Sequence, residues 1–319
     1  MSPRAALADA LLITLATPAT WPLALATFLL RGGLLVVVLP IVVLPSPVSL
    51  GNVLGPVLTT AVLSGVPVEL AVGVGLVALG CVAWIAVGGL IAGMLEAEGA
   101  WLVAEQADAA GSPALAPDRD TREAAAVALR VLAARLLAHA PTAIAAAFAL
   151  TRLVGVAYRE LTNPSDVVSP IAIRVLRGAP EVLVAVVVLW VFGEILGALA
   201  ARRIVLGAGA RRALREAVLA VLRHPLAMLV RFLVPLAGLV VVLLPAAAAA
   251  SVTWAAARAA LTSAAGPFGA TLSVVLFVAL WMVGLLLAGV TSAWRAAVWS
   301  VVEPYGPQPG ATTVRPTAV

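Results

Sequence analysis

The chain has 319 residues, of which 63% are hydrophobic and 11% are charged, and its mean hydropathy is +1.13. Soluble domains carry about 25% charged residues and disordered chains are poorly hydrophobic, so the composition argues against both classes. The net charge is +5 and every basic residue is Arg, which in a membrane protein indicates asymmetry between two faces rather than nucleic-acid binding. One Cys and two His argue against a zinc site, and we expect no metal and no cofactor.

The first predicted element is a short helix over residues 3–16 that lies in the membrane interface. Arg4 precedes an apolar stretch there, a pattern that a signal peptide would also show. However, residues 6–18 (ALADALLITLATP) match residues 213–225 (ALREAVLAVLRHP) at a constant offset. Because the second copy is internal and amphipathic, both segments are predicted to be retained interfacial helices. In the second copy, the predicted apolar face is Leu214, Ala217, Val218, Val221 and Leu222.

Six membrane-spanning helices follow in the prediction, since a span needs roughly 20 apolar residues. Residues 70–95 carry no charge and form the clearest of them. The predicted spans are 19–44, 69–95, 142–158, 181–201, 226–249 and 269–293. A polar run at 106–121 is predicted to be a flexible linker, and the Pro-rich segment 304–319 a disordered tail.

The distribution of Arg predicts the orientation. If the amino terminus is cytoplasmic, 15 Arg lie in cytoplasmic segments and adjoining helix ends, against five on the other side. Setting aside Arg31, Arg152 and Arg231, which fall within spans, still leaves 13 against four. Positive charge favours the cytoplasmic side. We therefore expect a multi-pass protein of a prokaryotic plasma (inner) membrane with both termini in the cytoplasm.

An internal repeat organises these elements. Besides the match above, VLSGVP at 62–67 resembles VLRGAP at 175–180. The interpretation is an all-α membrane domain, residues 1–303, made of three units that each contain an interfacial helix plus a helix pair. The units are about 3–98, 122–206 and 210–300. Chance matching in a chain rich in Ala, Leu and Val is the alternative.

The units share an amphipathic helix that closes in x-Pro before a hydrophobic pair, at Pro18, Pro141 and Pro225. This pattern resembles bacterial membrane proteins of uncharacterised function that are grouped with the membrane domain of glycerophosphodiester phosphodiesterases. The resemblance covers most of residues 3–300 and is architectural. It implies a six-span helical fold and assigns no activity. The chain has too few His, and no His-Arg pair, for that family's soluble phosphodiesterase barrel, so no functional residue carries over.

Charged residues inside spans are functional hypotheses by default. Glu194 is the acid well inside a predicted span, and Arg152 sits at a comparable depth on the preceding one. We therefore predict an Arg152–Glu194 ion pair within the bundle. The alternative is that such a pair only offsets the cost of burying both charges.

Three embedded Arg against one embedded Glu leave a surplus of positive charge. One interpretation is a cavity for an anionic ligand or lipid headgroup, with Arg31 and Arg231 as contacts. The alternative is that these side chains snorkel to the interface. A second basic cluster would attract anionic lipid, although the orientation signal alone also explains it. Its members proposed as lipid contacts are Arg202, Arg203, Arg211, Arg212 and Arg215.

Small residues predict close helix contacts. Gly89-x-x-x-Gly93 and Gly193-x-x-x-Gly197 each permit two helices to approach closely, but the sequence does not say which helices meet.

Three functions remain open. The favoured one is an accessory or structural membrane protein that acts through lipids, a partner membrane protein or a second copy of itself. The second is a permease or channel subunit for a small anionic solute. An enzyme is disfavoured because no catalytic constellation is evident. A continuous polar cavity reaching Arg152 and Glu194 would favour transport, and a solid interior of Leu, Val and Ala would favour a scaffold.

Overall fold

The computed structural model describes residues 3–38, 41–42, 56, 60, 64–109, 121–166, 168–262 and 267–301. Within these ranges the chain is helical and has no strand. The helices are α1 Pro3–Ala16, α2 Thr20–Phe28, α3 Leu34–Val38, α4 Val68–Ala83, α5 Gly89–Ala109, α6 Thr121–Thr162, α7 Ile171–Arg177, α8 Pro180–Val205, α9 Ala210–Arg223, α10 Pro225–Thr262 and α11 Pro267–Val301. Five-residue π-helical segments, Leu29–Gly33 and Trp84–Gly88, join α2 to α3 and α4 to α5.

Six stretches of the described chain are long and apolar enough to cross a membrane, as predicted, and indicate a multi-pass membrane protein. They are Thr20–Val38, Val68–Gln106, Ala124–Glu160, Pro180–Val205, Pro225–Thr262 and Pro267–Val301. Several exceed the predicted length. Helix α6 has 42 residues and rises ~63 Å at 1.5 Å per residue, about twice the hydrocarbon thickness.

The prediction that Pro141 precedes a new helix is wrong, because α6 runs through it. Proline removes one backbone hydrogen bond, and membrane helices tolerate this loss when neighbouring helices and local adjustments compensate. Here α8 packs along α6 over this region, with Gly193 against the carbonyl of Ala138. Elsewhere the expectation holds, since Pro180, Pro225 and Pro267 each begin a helix, where a missing N–H has no cost.

The predicted interfacial segments at 3–16 and 211–223 are separate helices, α1 and α9. The corresponding part of the second unit is instead continuous with its span. Only part of the predicted apolar face of α9 packs against the rest of the protein. Its buried stripe is Ala213, Ala217 and Val221, whereas Val218 and Leu222 are exposed, because α8 and the other helices cover only one narrow side of it.

The six spans form a ring that is open at one place. Consecutive spans pack together as α2 with α5, α6 with α8, and α10 with α11. Helix α11 also packs on α2, and α5 on α6, which joins the pairs. In contrast, the backbones of α8 and α10 approach each other at few places in the described residues, and their side chains meet mainly around Trp190 and Phe232. We call this opening the α8/α10 seam.

The core lies at the end of the bundle where α1 and α9 are found, here called the α1/α9 end. One buried cluster joins α5, α6, α8, α9, α10 and α11 there, and a second joins α1 to α5 and α11. At the opposite end, a smaller buried cluster joins α6 and α8 around Val156 and Val182, and many other apolar side chains face outward. Helix α4 has no buried residue, as expected for a surface that contacts lipid tails.

The predicted linker and tail are only partly within the described chain. Helix α5 continues through Ala109 and α6 begins at Thr121, so both ends of the predicted linker 106–121 are helical. Residues 110–120 and the tail 304–319 lie outside the described residues.

Candidate functional site

A cavity of about 380 Å³ lies inside the ring toward the α1/α9 end. Five of the six spans line it, and the remaining span, α10, contributes Phe232. Its charged lining residues are Arg31, Glu96, Arg135, Glu194, Arg202 and Arg295. Four guanidinium groups and two carboxylates leave two positive charges in excess among the described lining residues. The remaining lining is largely apolar.

Glu96 binds two guanidinium groups from different helices. It accepts hydrogen bonds from Arg135 of α6, at 3.1 Å from Nε and 2.5 Å from Nη2, and from Nη2 of Arg31. The Arg135 contact is the bidentate geometry that guanidinium and carboxylate favour. Glu96 therefore joins the first, second and third spans at one level.

Glu194 makes a second set of contacts beside the first. Arg295 of α11 donates to its Oε2 at 2.7 Å, and His139 Nε2 lies 3.4 Å from Oε1. Arg135 also approaches it, with Nη1 3.9 Å from Oε2. Arg135 thus lies between both carboxylates, and the side chains form one network across five of the six spans.

A break in the first span positions Arg31. Arg31 and Gly32 have non-helical backbone angles, with φ of 103° at Gly32, a conformation that favours glycine. The break leaves the Leu30 carbonyl to accept a hydrogen bond from Nε1 of Trp84 at 3.0 Å. The irregularity at Arg31-Gly32-Gly33 thus sets where the guanidinium enters the cavity.

Glycines bring both α5 and α8 close to α6. A Cβ at Gly93 would lie 3.0 Å from the carbonyl oxygen of Ala128, and one at Gly193 would lie 2.9 Å from Cδ2 of His139. Both predicted G-x-x-x-G faces therefore meet the same helix. This close packing places Glu96 and Glu194 within reach of Arg135.

An aromatic pair lines the cavity where α8 meets α10. The rings of Trp190 and Phe232 meet edge to face, with centroids 5.9 Å apart. The guanidinium of Arg295 lies 5.3 Å from the centre of the Phe232 ring, within range of a cation–π contact. The charged and apolar sides of the cavity therefore meet at Phe232.

The predicted Arg152–Glu194 pair does not form. Arg152 lies beside Glu181, with Nε 3.6 Å from Oε1 and both side chains about half exposed. Helices α6 and α8 are antiparallel, so His139 faces Glu194 while Arg152 faces a residue thirteen positions earlier on α8. That offset is about 20 Å along a helix. The predicted pair assumed that the third span begins after Pro141. Because α6 continues through Pro141, Arg152 lies at a different depth from Glu194.

The other predicted contacts separate into three groups. Arg31 and Arg202 line the cavity. Arg231 is 9% exposed and does not line it, so the expectation that it binds a ligand or snorkels has no support. The remaining basic residues lie at the end of α8 or on α9. Arg203 of α8 and Arg212 of α9 contact Glu216 at 3.8 and 2.7 Å, and Arg211 and Arg215 are exposed.

The hydrogen bond from Arg212, helped by nearby guanidinium charges, holds the pKa of Glu216 below its ordinary value. Glu216 lies outside the spans, and its 3.8 Å contact with Arg203 links α9 to the end of α8.

Sequence reasoning missed Glu96, Arg135, His139 and Arg295. Glu96 and Arg295 follow the predicted ends of their spans by one and two residues, and Arg135 and His139 precede the third by a few. All therefore share one depth, near the same membrane face as Glu194. This shared depth could have been recognised from the sequence. The predicted spans were too short, which placed these residues just outside them.

Comparison with known proteins gave no matching family model, no curated relative and no matching solved structure. The resemblance to the phosphodiesterase membrane domain stays a prediction.

Proposed function

We propose that this chain is an accessory membrane protein that binds an anionic group, as a lipid headgroup or a small solute, in its Arg-lined cavity. The observation that carries the proposal is that the guanidinium groups of Arg31, Arg135 and Arg295 share two carboxylates in a largely apolar cavity, where low dielectric strengthens attraction for an anion. Guanidinium groups bind carboxylate and phosphate through paired hydrogen bonds. The ion network holds the Arg side chains in place before the ligand arrives.

The proposed setting is a prokaryotic plasma membrane with the α1/α9 end in the cytoplasm, which the Arg distribution supports. We further propose three repeated units. Packing of the spans in consecutive pairs supports this arrangement. In this arrangement, the α8/α10 seam is the junction between units at which the described spans pack least closely.

Thermal unfolding of the purified protein in zwitterionic nanodiscs tests the proposal. Ligands that bind only the folded state stabilise it by about 2.7 kcal/mol at a hundred times their dissociation constant. We expect the midpoint to rise with phosphate, pyrophosphate or an anionic phospholipid. Ala198→Trp, which fills the cavity from α8, should abolish the rise. Ala279→Trp, on an exposed face of α11, is the matched control. If none of these anions raises the midpoint, the proposal is wrong.

The second candidate is a permease or channel subunit for a small anionic solute. The position of the cavity inside the ring of spans favours it. Uptake of labelled phosphate into proteoliposomes distinguishes the two functions. Uptake that is lost in Ala198→Trp and kept in Ala279→Trp would establish transport, whereas binding without uptake supports the accessory function.

A further inference from the structure

From the placement of α9, we infer that its exposed face binds the anionic phospholipid headgroups of the bilayer surface. This face is the line of Arg211, Arg215, Val218 and Leu222, here called the α9 outer stripe. None of these four residues lines the cavity, so this surface goes beyond the proposed anion-binding function.

The α9 outer stripe is separate from the side of the helix that the protein covers. Its members are spaced by four, three and four residues, which places them within about 60° of one another around the helix axis. The buried residues Ala213, Ala217 and Val221 lie about a third of a turn away. Val218 and Leu222 are 41% and 70% exposed, so the described chain leaves two apolar side chains largely uncovered here.

The neighbouring spans hold α9 at the level of the membrane surface. Helix α8 ends at Val205 and α9 begins at Ala210, while only His224 separates α9 from α10. The four residues between α8 and α9 reach at most about 14 Å. Since α8 and α10 are both long and apolar enough to cross the membrane, α9, which is about 21 Å long, runs along the surface from one span to the next.

Charge contacts single out Arg211 and Arg215 within the basic cluster. Arg203 and Arg212 share the carboxylate of Glu216, at 3.8 and 2.7 Å. Arg211 and Arg215 are exposed, and neither forms an ion pair with a described residue. An anionic membrane surface attracts such residues, and each one strengthens the association by about fivefold.

A bilayer matches this combination of side chains better than a soluble anion or an acidic protein does. An amphipathic helix in the interface buries its apolar side chains at the headgroup boundary, while Arg side chains extend toward the phosphates. Val218 and Leu222 supply the apolar part of the stripe, and Arg211 and Arg215 supply the basic part. The bilayer also lies beside α9 because both of its ends lead into spans, so a partner protein would have to displace lipid to reach this face.

Fluorescence quenching in nanodiscs tests the inference on the full chain. Bimane on Leu222→Cys, in a Cys81→Ser background, reports contact with phosphatidylglycerol or phosphatidylcholine that carries a spin label near the headgroup. We expect both lipids to quench it, and phosphatidylglycerol to reach half of the maximum effect at a mole fraction at least fivefold lower. Val218→Cys is a second reporter. Bimane on Arg223→Cys should be quenched less than half as much, because this neighbour lies on the line of Glu216 instead.

Charge variants test whether the two Arg residues select the anionic lipid. Arg211→Gln combined with Arg215→Gln should reduce the preference for phosphatidylglycerol at least fivefold. Arg159→Gln combined with Arg177→Gln is the matched control, since it removes the same charge from exposed positions at the opposite end of the bundle. Ala198→Trp, which fills the cavity, should leave the preference unchanged.

Each other outcome overturns a defined part of the inference. No quenching at Leu222 by either lipid, or equal quenching at Leu222 and Arg223, would show that the α9 outer stripe does not face the bilayer. A reporter that is shielded from water without being quenched by lipid would assign the stripe to a protein partner. Equal quenching by the two lipids would overturn the selection of anionic headgroups. Loss of the preference in Ala198→Trp would place the anionic lipid in the cavity instead.

Discussion

Arg135 is the residue on which the charged network depends. It contacts Glu96 through two nitrogens and lies near Glu194, and only 12% of its side chain is exposed. Removing one partner from a buried ion pair leaves an uncompensated charge and costs more than the pair itself contributes. The network therefore fixes the helices in one arrangement even if its net contribution to stability is small.

Glu194→Gln should lower the free energy of unfolding by about 3 kcal/mol, because it leaves Arg295 without its carboxylate partner. Arg152→Ala should change it by less than about 0.5 kcal/mol, because its pair with Glu181 is exposed. Reversible unfolding in mixed micelles measures both. A larger loss in Arg152→Ala than in Glu194→Gln would contradict the observed pairing.

The backbone break at Gly32 yields a second prediction at this scale. A Cβ at Gly32 would meet no neighbouring atom within 4 Å, but the φ of this residue is 103°. Gly32→Ala should therefore lower the free energy of unfolding by about 1–2 kcal/mol through backbone strain alone. Gly75→Ala, which also meets no atom and lies in a regular helix, should not destabilise the protein. Equal unfolding midpoints for both variants would show that the break is not constrained.

Helix α6 is the common packing partner of α5 and α8, and both helices contact it through glycine. Gly93→Leu and Gly193→Leu should each destabilise the protein by about 1–3 kcal/mol, the range found for overpacking a tight contact. Gly75→Leu is the control at an open position. Unfolding in mixed micelles reports the difference, and tolerance of Leu at Gly193 would argue against the close contact with His139.

The attachment of α9 should depend on pH through Glu216. Its pKa is lowered in the folded protein, chiefly by the hydrogen bond from Arg212. The stabilisation is therefore complete above the unfolded pKa of about 4.3 and is lost as the pH falls through the lower folded value. The difference in stability between the native chain and Glu216→Gln should shrink over that window. A pH-independent difference would contradict this coupling.

For the whole molecule, the orientation can be tested with single cysteines in a Cys81→Ser background. Val168, between α6 and α8, is 94% exposed, and His224, between α9 and α10, is also exposed. If the α1/α9 end is cytoplasmic, Val168→Cys reacts with a membrane-impermeant maleimide in intact cells and His224→Cys reacts only after lysis. The reverse result would overturn the proposed orientation.

The sequence by itself determined the helical class, the six spans and the helical α1 and α9 segments. These features follow from local patterns: apolar length sets a span, and the spacing of apolar and charged residues sets an amphipathic helix. The consecutive Gly32 and Gly33 weaken a helix locally, and the first span breaks there.

Only the tertiary structure decided which charges meet. The partner of Glu194 depends on the register between antiparallel helices, which places His139 beside it and Arg152 thirteen residues farther along α6. That register is set by glycine contacts with α6, which join residues far apart in the chain. For the same reason, the local sequence could not predict that α6 continues through Pro141. The packing of the neighbouring α8, and not the proline, determines whether the helix persists.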